Sequence, residues 1–155
     1  MIKTNPIAII PARIGSNRIK FKNIVKFNKK PLIIWTVEAA LKSKIFSKIF
    51  VSTDSNLIKE KLKEYNNKII FLERPKKFSG SYTKSETLIK YLIKKNFLHK
   101  KFKTFFLLQA TSPLRNKNHI KKMWNIYKKD NLKNFISLSR KKNKNFIKSN
   151  KFIYI

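Results

Sequence analysis

Residues 7–10, Ile-Ala-Ile-Ile, form an uninterrupted apolar run that stops at Pro11 and passes directly into a loop rich in cations. A run this short, β-branched and without polar alternation is expected of a central strand covered on both faces. Comparable runs recur at 49–52 (IFVS), 69–72 (IIFL) and 104–109 (TFFLLQ). Between them lie longer stretches with helical spacing. Pro31 is suited to open a helix, since its missing N–H is not needed there, and Leu32, Trp35, Ala39 and Leu41 carry an apolar face to about Lys42. Further helices are expected at 57–65 and 118–129. A third is expected after Thr83 and Glu86, which have capping-box spacing ahead of Leu88, Tyr91, Leu92 and Ile93. Short strands alternating with helices predict an α/β fold, a mostly parallel sheet with crossover helices, in one domain over residues 1–155.

The end of the chain reads differently. A strand is expected at 135–138, and FIKSNKFIYI resembles a hairpin turning near Ser149 and Asn150. Residues 152–155 are apolar with nothing after them, and an uncovered edge of that kind promotes aggregation. The expectation is that a partner covers this strand or that the chain lacks its natural C-terminal part.

Composition limits the functional classes. The formal net charge of +31, from 38 Lys and Arg against 7 Asp and Glu, invites a nucleic-acid reading. The lysines, however, are spread along the whole chain and accompany an excess of Asn, Ile and Phe, which favours a compositional bias over a nucleic-acid footprint. There is no cysteine, which excludes disulfides and thiolate metal sites, and His99 and His119 lack ligand spacing. The apolar run near the start is too short for a signal segment or a membrane span, so no membrane partner and a cytoplasmic location are expected.

The loop after the first strand carries Arg13, Gly15, Ser16, Arg18, Lys20, Lys22 and Asn23. In α/β sheets ligands bind at the carboxyl ends of strands. Gly15 is expected to supply a positive φ and to let backbone N–H groups approach an anion, while the cations neutralise a polyphosphate. With a single glycine in this loop, neither the Walker A pattern nor the dinucleotide fingerprint is present.

The stretch from Ala8 to Asn23, AIIPARIGSNRIKFKN, resembles the opening motif of the acylneuraminate cytidylyltransferase family, the CMP-sialic acid synthetases and their pseudaminic and legionaminic acid relatives. Lys30-Pro31, Val51-Ser52-Thr53-Asp54, Arg74-Pro75 and Leu107-Leu108-Gln109-Ala110-Thr111-Ser112-Pro113-Leu114-Arg115 match later family motifs in order. The chain departs from the pattern at Ile14, where Gly is common, and at Asn17, where Lys is common; Arg18 or Lys20 is expected to compensate for the second. The resemblance implies a Rossmann-like, glycosyltransferase-A-like nucleotidyltransferase fold, a three-layer sandwich. It also implies CTP and a nonulosonic acid as substrates and Mg²⁺ as cofactor. A homodimer is compatible with it, although the family's dimerisation segment and its late carboxylate pair for Mg²⁺ lie beyond what this chain supplies.

Carried over by position, Arg13 and Lys22 hold the triphosphate as catalytic cations, with Gly15, Ser16, Arg18 and Asn23 around it. Ala12, Arg74 and Ser85 lie near the cytosine and ribose, and Gln109, Thr111 and Ser112 face the sugar acid. Plainer roles stand beside these: Thr83 and Ser85 as helix caps, Arg74 as a loop residue, Asp54 in a structural role such as capping the next helix in preference to a metal ligand, and Ser112-Pro113 as a turn. Gln109, ending a buried strand, needs a polar partner. The alternatives in function are a CMP-KDO synthetase-like enzyme, a CTP-binding remnant without turnover, and a basic nucleic-acid-binding module.

Overall fold

A computed structural model describes residues 5–16, 18–80 and 83–129, together with the backbone of 153–154. The expected strand at 135–138 and the first arm of the expected hairpin lie outside the described residues.

The apolar run becomes β1 (Ile7–Pro11), wholly buried until its last residue. After the loop come two two-residue strands, β2 (Lys26–Phe27) and β3 (Lys30–Pro31), paired antiparallel, and then α1 (Leu32–Ser43). Pro31 sits at the cap of α1, one position earlier than its expected place inside the first turn. Next are β4 (Lys48–Thr53), α2 (Asn56–Lys61), β5 (Ile70–Glu73), α3 (Ser85–Lys95), the single turn α4 (Leu98–Lys101), β6 (Phe105–Leu107), α5 (Lys117–Lys129) and β7 (Ile153–Tyr154). The helix expected at 57–65 is divided: α2 ends at Lys61 and a 3₁₀ turn covers Lys63–Tyr65.

The strand order is β5-β4-β1-β6-β7, and every pairing in this sheet is parallel. β7 therefore continues the sheet beside β6, with Ile153 opposite Phe106.

Successive residues of each strand point to opposite faces, which divides the core in two. Ala8, Ile10, Ile49, Val51, Phe106 and Leu108 meet Ile33 and Val37 of α1, Ile58 of α2, and Ile120 and Met123 of α5. Ile7, Ile9, Phe50, Leu72 and Leu107 meet Leu88, Ile89 and Leu92 of α3 and Leu98 of α4. Helices thus cover both faces, giving the expected three-layer α/β sandwich. β1 is the pivot: β4 and β5 lie on one side of it and β6 on the other. Loops leaving adjacent strands on the two sides of such a pivot diverge and leave a crevice.

Candidate active site

The crevice is present. A cleft of about 190 Å³ opens at the carboxyl ends of β1, β5 and β6, lined by Pro11, Arg13, Gly15, Lys22, Asn23, Arg74, Thr83, Ser85, Gln109, Ala110 and Thr111. Three of these are cations and none is a carboxylate, so the cleft suits an anion.

The loop after β1 is rooted by backbone. Ala12 donates its N–H to the Ser52 carbonyl (2.8 Å) and is wholly buried, so it supports the loop from beneath. The side-chain amide of Asn23, itself buried, donates to the Arg13 carbonyl at 2.8 Å and ties the two ends of the loop together. The turn that presents Lys22 and Asn23 is a 3₁₀ segment, Lys22–Ile24, entered through Phe21 in the left-handed region (φ 53°). This corrects the expectation for Gly15, because no glycine has positive φ. A Cβ added at Gly15 would meet nothing within 4 Å, so the residue contributes open space at the cleft wall.

The departure at Ile14 is absorbed by packing. Its side chain rests on the core under α1, and its N–H donates to Asp54 Oδ1 at 3.0 Å. Asp54 is therefore a latch on the loop. It is not the helix cap that was expected, since α2 is capped at Ser55 without a side-chain hydrogen bond. Asn17 lies outside the described residues. Arg18 and Lys20 are exposed and away from the cleft lining, with Lys20 over the Phe21 ring at 5.3 Å.

Two arginines clamp the opposite wall. Arg13 Nη1 donates to the Ser79 carbonyl (3.0 Å), and Arg74 donates to the Phe78 carbonyl through Nε (3.1 Å) and Nη2 (2.6 Å). Burial pushes the Arg74 guanidinium below its usual value; Asp54 pulls it back up and the nearby Arg13 charge adds to the lowering. Arg74 is thus more than an ordinary loop residue: it is a buried cation whose charge is felt alongside that of Arg13. Like charges this close are relieved by an arriving anion. Lys22 forms no ion pair among the described residues.

Thr83 and Ser85 reach the cleft at the start of α3, where helix N–H groups favour negative charge. The expected capping box does not form. The cap is Lys84 with no side-chain hydrogen bond, and Glu86 turns along the helix to Lys90 (2.8 Å). On the third wall Gln109 and Thr111 are exposed to the cleft, while Leu108 and Ala110 are buried in the core and Ala110 also touches the cleft. The side chain of Gln109 is not buried, contrary to the reason given for its needing a partner; its carbonyl is the group that is held, by Arg115 at 2.8 Å. Ser112 forms a turn, its carbonyl accepting the Arg115 N–H (3.1 Å), and lies outside the cleft lining with Ser16.

Sequence reasoning gave Arg115 no role, although it closes the last matched motif. It also missed Asn116, whose side chain caps α5 by accepting the N–H groups of Asn118 (2.9 Å) and His119 (3.1 Å). An Asn two residues before the expected helix was the available signal. Among the described residues no three His, Cys, Asp or Glu side chains cluster to hold a metal, and no helix is long and apolar enough to cross a membrane.

Residues 7–151 match the family model described as cytidylyltransferase. The chain belongs to the cytidylyltransferase family. Among relatives, an N-acylneuraminate cytidylyltransferase of Escherichia coli is 38% identical over 119 residues, covering 77% of this chain and 27% of that protein. A pseudaminic acid cytidylyltransferase of Campylobacter jejuni is 39% identical over 122 residues, covering 76% of this chain and 51% of that protein. This cytidylyltransferase chain therefore spans about half the length, or less, of the curated relatives it matches. The fold of a CMP:2-keto-3-deoxy-manno-octonic acid synthetase solved with CTP superposes with a TM-score of 0.68 at 17% identity, over 86% of this chain and 52% of that one.

Proposed function

We propose that this chain is a cytidylyltransferase that joins CTP to a nonulosonic acid, giving the CMP-sugar and pyrophosphate. The observation that carries the proposal is the cleft itself: three cations, no carboxylate, and the N-terminus of α3 converge at the carboxyl end of the pivot strand. The relatives named for N-acylneuraminate and pseudaminic acid support the choice of sugar acid. The structure solved with CTP supports the fold.

In this reaction the anomeric hydroxyl of the sugar acid attacks the α-phosphorus of CTP, the bond to the β-phosphate oxygen breaks, and pyrophosphate leaves. Arg13 and Lys22 neutralise the triphosphate and the charge that grows on the leaving group. Asn23 fixes the loop, and Gly15 leaves room for phosphate to approach its backbone. Arg74, Thr83 and Ser85 form the wall assigned to the nucleoside. Gln109 and Thr111 form the wall assigned to the sugar acid, and holding the two walls a few ångströms apart sets the attack geometry. Ala12 and Ser112 act beneath these walls as support. The described residues do not fit a resident Mg²⁺ site, because they hold no acidic cluster and Asp54 is engaged with Ile14; no step is assigned to the metal. We place the reaction in the cytoplasm.

The test is product formation. With CTP and either N-acetylneuraminic or pseudaminic acid, mass spectrometry should find the CMP-sugar in amounts equal to the pyrophosphate released. Absence of CMP-sugar with both acids contradicts the proposal.

A further inference from the structure

We propose that Arg115, together with Thr36 on α1, is a positioning residue for the sugar-acid wall of the cleft; this rests on the function proposed above. β6 ends at Leu107, and the last sheet bond of this segment is the Leu108 N–H to the Ile9 carbonyl (3.1 Å). The peptide joining Gln109 to Ala110, which decides where Gln109 and Thr111 point, therefore lies past the end of β6. Its carbonyl is taken by side chains. Arg115 Nη2 donates to the Gln109 carbonyl at 2.8 Å and to Thr36 Oγ1 at 3.0 Å, and Thr36 Oγ1 donates to the same carbonyl at 3.3 Å.

This arrangement is buried. Arg115 is 7% exposed and Thr36 0%. Burial lowers the Arg115 pKa to about 10. Desolvating a guanidinium is unfavourable unless its hydrogen bonds return the loss, and Nη2 donates to Thr36 and to the carbonyl that fixes the direction of the cleft-facing residues. With the Gln109 carbonyl held, the alternation of strand geometry continues past the ladder: Leu108 and Ala110 stay buried, Ala110 closing the floor of the cleft, while the exposed Gln109 and Thr111 line its wall. Arg115 itself does not line the cleft, so it acts through Gln109 and Thr111. Nη2 bonds both acceptors and is aimed by a rigid, planar guanidinium, which a lysine ammonium on a flexible stem replaces only in part.

The experiment is steady-state pyrophosphate release by the full chain, with N-acetylneuraminic and pseudaminic acid as probes. In Arg115→Met the KM for the accepted acid should rise about tenfold to a hundredfold, as expected when a charged hydrogen bond to a buried carbonyl is lost, while the KM for CTP stays within about twofold. Arg115→Lys should recover part of the difference. Should Arg115→Met not fold, Thr36→Val and Thr36→Ser replace it: the first should raise the KM for the acid, and the second should restore it. A loss of kcat with both KM values unchanged, or equal weakening of both substrates, overturns the inference and leaves a purely structural residue. No turnover by the unmodified chain with either acid would instead overturn the proposed function on which the inference rests.

Discussion

At the level of single residues, the cleft depends on groups that hold the loop as much as on those facing a ligand. Asp54 is the sharpest case, because a carboxylate whose charge acts on Arg74 suggests metal binding, whereas its Oδ1 accepts the Ile14 N–H. The two roles predict different mutants. If Asp54 is a latch, Asp54→Ala should weaken CTP binding about threefold to tenfold, the worth of one ordinary hydrogen bond, and Asp54→Asn should leave it nearly unchanged, since the amide oxygen still accepts. Titration calorimetry of the two variants decides this; equal loss in both would show that the charge, not the acceptor, matters. The cations of the loop were legible in the sequence because polar side chains directly after a buried strand have few structural uses. What those side chains bond to was not. Asp54 and Arg74 meet residues 40 positions away and 4 positions away, and the first of these contacts exists only once β1 and β4 pair. Gly15 misled for a related reason: glycine permits a positive φ but does not require one, and the loop places the left-handed residue at Phe21.

At the level of elements, α1, β1 and β4 follow from apolar periodicity because packing and propensity agree there. The β2–β3 hairpin was missed. Its turn residues Asn28 and Lys29 both have positive φ (46° and 65°), and a lysine stands where glycine would have signalled the turn. Tertiary contacts hold it instead: Trp35 Nε1 donates to the Phe27 carbonyl (3.0 Å), and Lys30 pairs with Glu38 of α1 (2.8 Å). Glu38 also accepts from Lys42 (3.0 Å) and from the Tyr65 hydroxyl (3.0 Å), joining the hairpin, α1 and the turn after α2. Burial alone would raise the Glu38 pKa, but these three hydrogen bonds outweigh it and bring it down to about 2. A carboxylate with a lowered folded pKa stabilises the fold above its unfolded value, near 4.5, and that contribution is lost as pH falls towards 2. Glu38→Gln should therefore reduce stability by about 1 kcal/mol at neutral pH, allowing for solvent screening of Lys30 and Lys42. Thermal unfolding should show the difference between the variant and the original chain shrinking as pH falls towards and through 2, where Glu38 takes up its proton in the folded state. A difference that persists undiminished there would mean that packing, not charge, carries the effect.

At the scale of the whole molecule, the sheet order makes one place where loops from both sides of β1 diverge, and the matched motifs meet there. Arg13 and Lys22 from the first, Arg74 from the middle, and Gln109 and Thr111 from the last line one cleft, although almost 100 residues separate Arg13 from Thr111. The net charge of +31 is not what distinguishes this place, because lysines are spread along the whole chain. What distinguishes it is that Arg13 and Arg74 are held by hydrogen bonds to the Ser79 and Phe78 carbonyls and that no carboxylate lines the cleft beside them and Lys22. The measurement closest to this central claim is calorimetric titration of the chain with CTP, in parallel with Arg13→Ala. The unmodified chain should bind CTP, and the variant should bind it about thirtyfold to a hundredfold more weakly, the loss of a charge-assisted contact to phosphate. Equal affinity in the two proteins, or no binding of CTP by the unmodified chain, would contradict it.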